Sequence, residues 1–430
     1  MTGCQDESLP VSRATLILIM RNTNRWAQLS LLNLSIVAFL GVILRSKILF
    51  SIPWVNYLHW LDGHFHFAFQ GWMTLALLVI FRSEILSEKF GTSAIYDKLF
   101  AGVLLGSWAI LLATILDLNN YFKEIGSWLF ILLTFLFSGV FLRDLRLTPL
   151  DRSVRLLSFS AMMCLLLSAV GPILLAYFHS TNDYHPLLDR DALYLYLHFQ
   201  YNGFFTLAVL AILCQKLCQE TSAKHKKKFL WFAITSCAAV LPSLFLSFLW
   251  QDPNSLFRII AGMGSALLLI SAFLFISVWG PVARSIARHP PLIKWVYFIS
   301  VSAFVLKNVL QGLTIFKPVG DAVFGDRPII IGFLHLVFLA FVTPFVLGTY
   351  LEDRIINRTP KFARFAVGIF MFGVLFNEFI LMFQGLGTML LKSSFLFPWF
   401  LWFASILLLV GSVLLLVASV KSNAGPVESG

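Results

Sequence analysis

Four histidines stand where an imidazole is costly to keep. His64 and His66 lie in WLDGHFHFAFQGW, His198 in LHFQYNGFF and His335 in GFLHLVF. Each falls at the start of a long apolar run. An ionisable side chain inside hydrocarbon is expensive and marks a functional site by default. A neutral imidazole carries one lone pair and one N–H, so it can ligate a metal while donating a hydrogen bond from its other nitrogen. Coordination is therefore the chemistry these positions suggest. Further polar residues fall nearby at helical spacing. Gln70 follows His66 at i+4. His198, Tyr201 and Asn202 share a face at i, i+3 and i+4. Lys307 and Gln311 share another, with Asn308 adjacent, and Asn377 aligns with Gln384 while Glu378 sits beside it.

The elements that must position them are membrane helices. The chain has 430 residues, 59% hydrophobic and only 12% charged, with a mean hydropathy of +0.84. A soluble domain carries about 25% charged residues. A crossing needs roughly 20 apolar residues, and that window predicts twelve spans: 27–44, 64–81, 99–116, 126–142, 156–178, 193–214, 229–250, 258–280, 294–314, 328–350, 364–388 and 395–420. The expected fold class is all-α, a single polytopic domain over 27–420. It is preceded by a cytoplasmic segment 1–26 and followed by a disordered cytoplasmic tail 421–430. About three-quarters of the 32 Lys and Arg fall on the side of the N-terminus, the alternate loops and the C-terminus. The positive-inside rule makes that side cytoplasmic. The net charge of +11 is thus a loop property and not a nucleic-acid footprint. No cleavable signal peptide is evident, because Ala14–Met20 is short and lacks a small-residue cleavage site.

Counted from those span starts at 1.5 Å per residue, the histidines lie within about 10 Å of the outer edge, on spans 2, 6 and 10. His64 and His66 point about 200° apart on a helix, so one site can take only one of them. The His64 face continues through Ala68, Gly71 and Leu75, small enough for a flat macrocycle. The His66 face continues through Gln70 and Met73. Two histidines on facing helices make a bis-His haem site, and the aromatic content of 15% supplies an apolar slot. Zinc would want four N or S ligands. The thiols do not provide them: Cys164, Cys214, Cys218 and Cys237 read as packed side chains, with a Cys214–Cys218 metal pair the weaker reading. Buried charges need partners, and Lys307 and Glu378 fall at a similar depth that allows each to be the other's.

In span count, cytoplasmic termini and histidines on spans 2, 6 and 10, the chain resembles subunit I of the haem–copper oxidases and nitric oxide reductases, and is similar to NnrS-type haem and copper membrane proteins. The resemblance implies a haem, of b type, held by His64 or His66 and by His335. It also implies a copper ligand at His198, with Tyr201 echoing the family's nearby tyrosine. Gln70, Tyr201, Asn202, Lys307, Gln311, Asn377 and Glu378 would surround these ligands. Phe229–Trp250 contains no histidine where the family has a pair, span 10 has one histidine where the family has two, and HFQY replaces HPEVY. The copper ligand set is incomplete and no full binuclear centre can be built. The implied function is electron transfer or handling of O2 or NO in a bacterial inner membrane, with an electron-donor protein or another respiratory subunit as partner. Two other readings compete. One is a proton-coupled secondary transporter working through Lys307 and Glu378. The other is a cofactor-free membrane subunit.

Overall fold

The computed structural model describes residues 13–91, 93–181, 186–218, 222–356, 361–392 and 394–422. Among these there is no strand, and twelve helices are long and apolar enough to cross a membrane. They are Asn22–Leu49, Tyr57–Glu84, Ala94–Ile115, Tyr121–Leu147, Arg152–Ser180, Pro186–Leu217, His225–Gln251, Ser255–Ser277, Pro291–Leu313, Arg327–Glu352, Lys361–Met389 and Leu396–Val420. All-helical construction is what hydrocarbon demands, because each backbone N–H and C=O must find its partner within its own segment. The first helix runs back to Arg13, so the sequence-predicted segment 1–26 is partly helical. The tail beyond residue 422 lies outside the described residues.

The spans extend several residues past their apolar windows. The extension matters most at span 2. Asn56 follows the turn at Pro53 and caps a helix that begins at Tyr57, its Oδ1 accepting from the Leu58 N–H at 3.2 Å. His64 is therefore seven residues inside the helix and not at its mouth. That is about 10 Å of rise, matching His335 in a helix that begins at Arg327.

Spans 2, 6 and 10 form the centre. Phe69, Phe205 and Phe338, one from each, meet in mutual ring contact at 5.7, 4.4 and 5.7 Å between centroids. Offset and edge-on pairs of this kind add to what burial alone supplies. Trp72 Nε1 donates to Thr343 Oγ1 at 3.2 Å, tying span 2 to span 10. Close approach of span 6 to span 5 depends on Gly203, where a Cβ would lie 2.5 Å from the Cβ of Cys164. The remaining spans surround this trio, and span 12 closes onto span 1.

Each central span also leaves α-helical geometry at one place. Phe67–Thr74, Phe199–Phe205 and Leu336–Val342 are π-helical. Each of these stretches starts immediately after a histidine: His66, His198 and His335. Wide π turns are rare and collect at functional sites, because the extra residue per turn leaves backbone groups less regularly paired and shifts side-chain direction. They also break the 3.6-residue bookkeeping: the Gln70 and Gly71 side of span 2 is rotated relative to His64 and His66.

Candidate functional site

Two of the four histidines come together. Trp72 lies eight residues after His64 and Thr343 eight residues after His335. Spans 2 and 10 run in the same direction, so the Trp72–Thr343 bond sets the two histidines level. They interact electrostatically, and Arg45, near the end of span 1, acts on both. Each ring is anchored through Nδ1: His64 to the carbonyl of Val37 at 3.1 Å, and His335 to that of Ile331 at 2.8 Å. A carbonyl can only accept, so both Nδ1 atoms carry the proton and both Nε2 atoms carry a lone pair. Among the described residues, neither Nε2 has a protein partner. Both rings also keep accessible surface, being half-buried, as are Ala68, Leu334 and Phe338 beside them. Gly41 on span 1 lies against the His64 ring, its position for a Cβ 3.6 Å from Cε1.

His66 is turned elsewhere. Its Nε2 reaches Asp62 at 3.3 Å, and Asp62 is also bound by Lys123. Its Nδ1 is buried without a partner. Of the two histidines between which the sequence could not choose, His64 is the one that meets His335.

His198 is fully buried and saturated. Its Nε2 donates to the Val240 carbonyl of span 7 at 2.8 Å, and its Nδ1 accepts from Asn202 Nδ2 at 3.1 Å. No lone pair is directed at an open position. Asn202 Oδ1 in turn accepts from Lys307 at 2.7 Å, and Lys307 also donates to Asn308 Oδ1 at 3.1 Å. The amine borders a cavity of about 20 Å³, lined in part by Thr206, Ser236, Ser243 and Ser271, room for one water. The allowed Lys307–Glu378 pair does not form. Glu378 is half-buried on span 11 and accepts from its neighbour Asn377 at 3.1 Å. Similar depth did not bring the two together, because the rotation of each helix decides what a side chain meets.

The other sequence-predicted residues are dispersed. Gln70 is buried beside Tyr196 with its Oε1 unpartnered. Gln311 is also buried, its Oε1 without a partner. Tyr201 packs edge-on against His198 and Phe333. Cys164, Cys214 and Cys237 are not joined in disulfides, while Cys4 and the Cys218 side chain lie outside the described residues. Sequence reasoning missed Arg45, Val37 and the Phe69, Phe205 and Phe338 cluster. Of these only Arg45 left a signal, as a cation at the end of an apolar run, two residues before Lys47.

The donor set fits a group that takes two axial nitrogens and otherwise wants an apolar slot. Among the described residues no cluster of three or more His, Cys, Asp or Glu could hold a metal ion by protein ligands alone. The architecture is that of a polytopic α-helical integral membrane protein. No protein-family model matches the chain, and no curated protein is similar to it.

Proposed function

We propose that the chain is a haem-binding membrane protein whose haem would be held by His64 and His335, and that it transfers electrons. The observation that carries this reading is the matched state of the two rings. They are level on neighbouring parallel helices, each has its proton fixed on Nδ1 by a backbone carbonyl, and each has an Nε2 with no protein partner. A carbonyl behind a ligating histidine fixes tautomer and ring orientation and raises ligand basicity.

When bound, haem iron supplies one-electron chemistry, and the protein sets its potential through ligands, dielectric and hydrogen bonds. The chain's own residues do the positioning. Val37 and Ile331 hold the rings. Phe69 and Phe338 keep water from the inner side of the pair. Arg45 places a positive charge near both histidines, where it would favour negatively charged substituents. The proposal includes no copper at His198, whose nitrogens are both engaged.

The test is a reduced-minus-oxidised visible spectrum of the purified protein with a pyridine haemochrome assay. A sharp α band at one haem per chain is the expected result. A colourless protein from cells well supplied with haem would overturn the reading.

A further inference from the structure

The inner face of the molecule holds a second site, unrelated to the histidine pair. A cavity of about 700 Å³ opens between the ends of spans 6, 9 and 10 and the short helix Trp279–Arg288. A groove of about 400 Å³ runs along spans 8 and 9, and Val301 lines both. The two spaces differ in chemistry. The groove is bordered by Ile276, Phe298 and Leu306, all exposed on the lipid-facing surface. The cavity is lined by rings and polar groups. His289 lies 6.0 Å from Tyr297, and Tyr297 5.6 Å from Phe345, measured between centroids. The sequence suggests an ordinary solvated side chain for His289; in the structure it bonds Glu352 at 2.8 Å.

Charge decides what kind of head the cavity suits. Lys216 is bound to Glu352 at 2.5 Å and lies 3.7 Å from Glu84. His289 takes the other oxygen of Glu352, and Arg288 is likewise engaged. Lys216 and His289 are therefore already matched, and a phosphate or carboxylate would have to break their pairs with Glu352 to be compensated by them. A flat, uncharged ring that exchanges hydrogen bonds with Ser285 and the second nitrogen of His289 costs no such pair, while the Tyr297 hydroxyl stays with Thr349 at 3.5 Å. Aromatic neighbours suit its faces. The apolar groove leading away through Val301 then takes a long hydrocarbon tail.

We infer that this cavity and groove together bind a membrane-dissolved amphiphile with a neutral, planar, hydrogen-bonding head, of the isoprenoid quinone class. The inference does not depend on haem. The probe is decylubiquinone, titrated calorimetrically into the detergent-purified full chain. One saturable site per chain is expected. Ser302→Trp places bulk in the groove from an exposed position and should weaken binding more than tenfold. His289→Ala should do the same from the head side. Phe273→Trp, on the lipid surface outside the groove, should leave binding unchanged, and so should His335→Ala, which separates this site from the histidine pair. Absence of saturable binding would overturn the inference. So would binding that survives Ser302→Trp, or displacement of the probe by phosphatidylethanolamine at matched concentration.

Discussion

His64 and His198 enter the bundle from the same face, on two of the three central spans, each ahead of a π-helical stretch. Their surroundings are opposite. His198 is sealed, with a carbonyl on one nitrogen and an amide donor on the other. His64 is tied on one nitrogen and bare on the other, as is His335 across from it. Both of these rings keep accessible surface, so their bare nitrogens are within reach of a ligand, whereas the sealed ring offers none. The comparison teaches that counting histidines at a given depth is not enough. The second nitrogen decides whether the ring is a structural tie or a ligand.

The largest effect should come from removing one ring of each kind. His64→Ala, or His335→Ala, is expected to lower haem content more than tenfold while the protein remains monodisperse. His198→Ala should keep the α band and lose thermal stability. If His198→Ala bleaches a folded protein while His64→Ala does not, the comparison is wrong way round.

Next in size is Asn202→Ala. Asn202 is the hinge of the sealed network, accepting from Lys307 and donating to His198. Truncation leaves the amine with Asn308 alone and strands one imidazole nitrogen, at a cost of about 1–3 kcal/mol for the unsatisfied buried group. Unfolding in mixed micelles should register this loss, with haem content unchanged. A variant as stable as the parent would show that the network is looser than its distances imply. Lys307→Met is the milder partner experiment. Lys307 is buried with two amide oxygens and no carboxylate. Replacing it by an apolar chain of similar length removes a buried charge without a counter-ion but leaves the Asn202 and Asn308 oxygens unbonded, so stability should fall by less than about 3 kcal/mol. A loss beyond about 3 kcal/mol would mean the ammonium does more than fill its place.

Much of this was readable in the residues alone. Twelve apolar runs stood apart because hydrocarbon length and loop charge are local properties, and all twelve helices are present. His64 and His335 were visible as candidates for the same reason: an imidazole in an apolar run is conspicuous. What could not be read depended on rotation and register. Lys307 and Glu378 matched in depth and missed in azimuth. The face shared by His66 and Gln70 assumed 3.6 residues per turn across a segment that is π-helical from Phe67. The anchors at Val37, Ile331 and Val240 are backbone carbonyls, which no side-chain pattern announces. His289 looked like part of a basic loop because its partner, Glu352, lies at the end of a different span.

A pH-dependent effect sharpens the contrast at the other end of the same three spans. Where the outer halves of spans 2, 6 and 10 carry histidines, their inner ends carry Glu84, Lys216 and Glu352, joined as ion pairs. Asp353, just past span 10, is drawn into this group. Burial is the main cause that pushes its carboxyl up to about 7, with Glu84 and Glu352 adding to the rise and Lys216 opposing it. An acid whose folded pKa lies above its unfolded 3.8 binds more protons in the folded state across the interval between. Stability should therefore fall as pH rises from about 4 to about 7, by at most about 1.4 kcal/mol per pH unit, and level off above that. His289 and Tyr297 face the same cluster, so the cleanest readout is a difference: Asp353→Asn should flatten the slope over that interval and leave His64 and His335 spectra untouched. A slope that persists in Asp353→Asn would show that Asp353 is not the group responsible. The protein would then respond to pH through other groups, and not through the one carboxyl that lies just beyond the clasped spans.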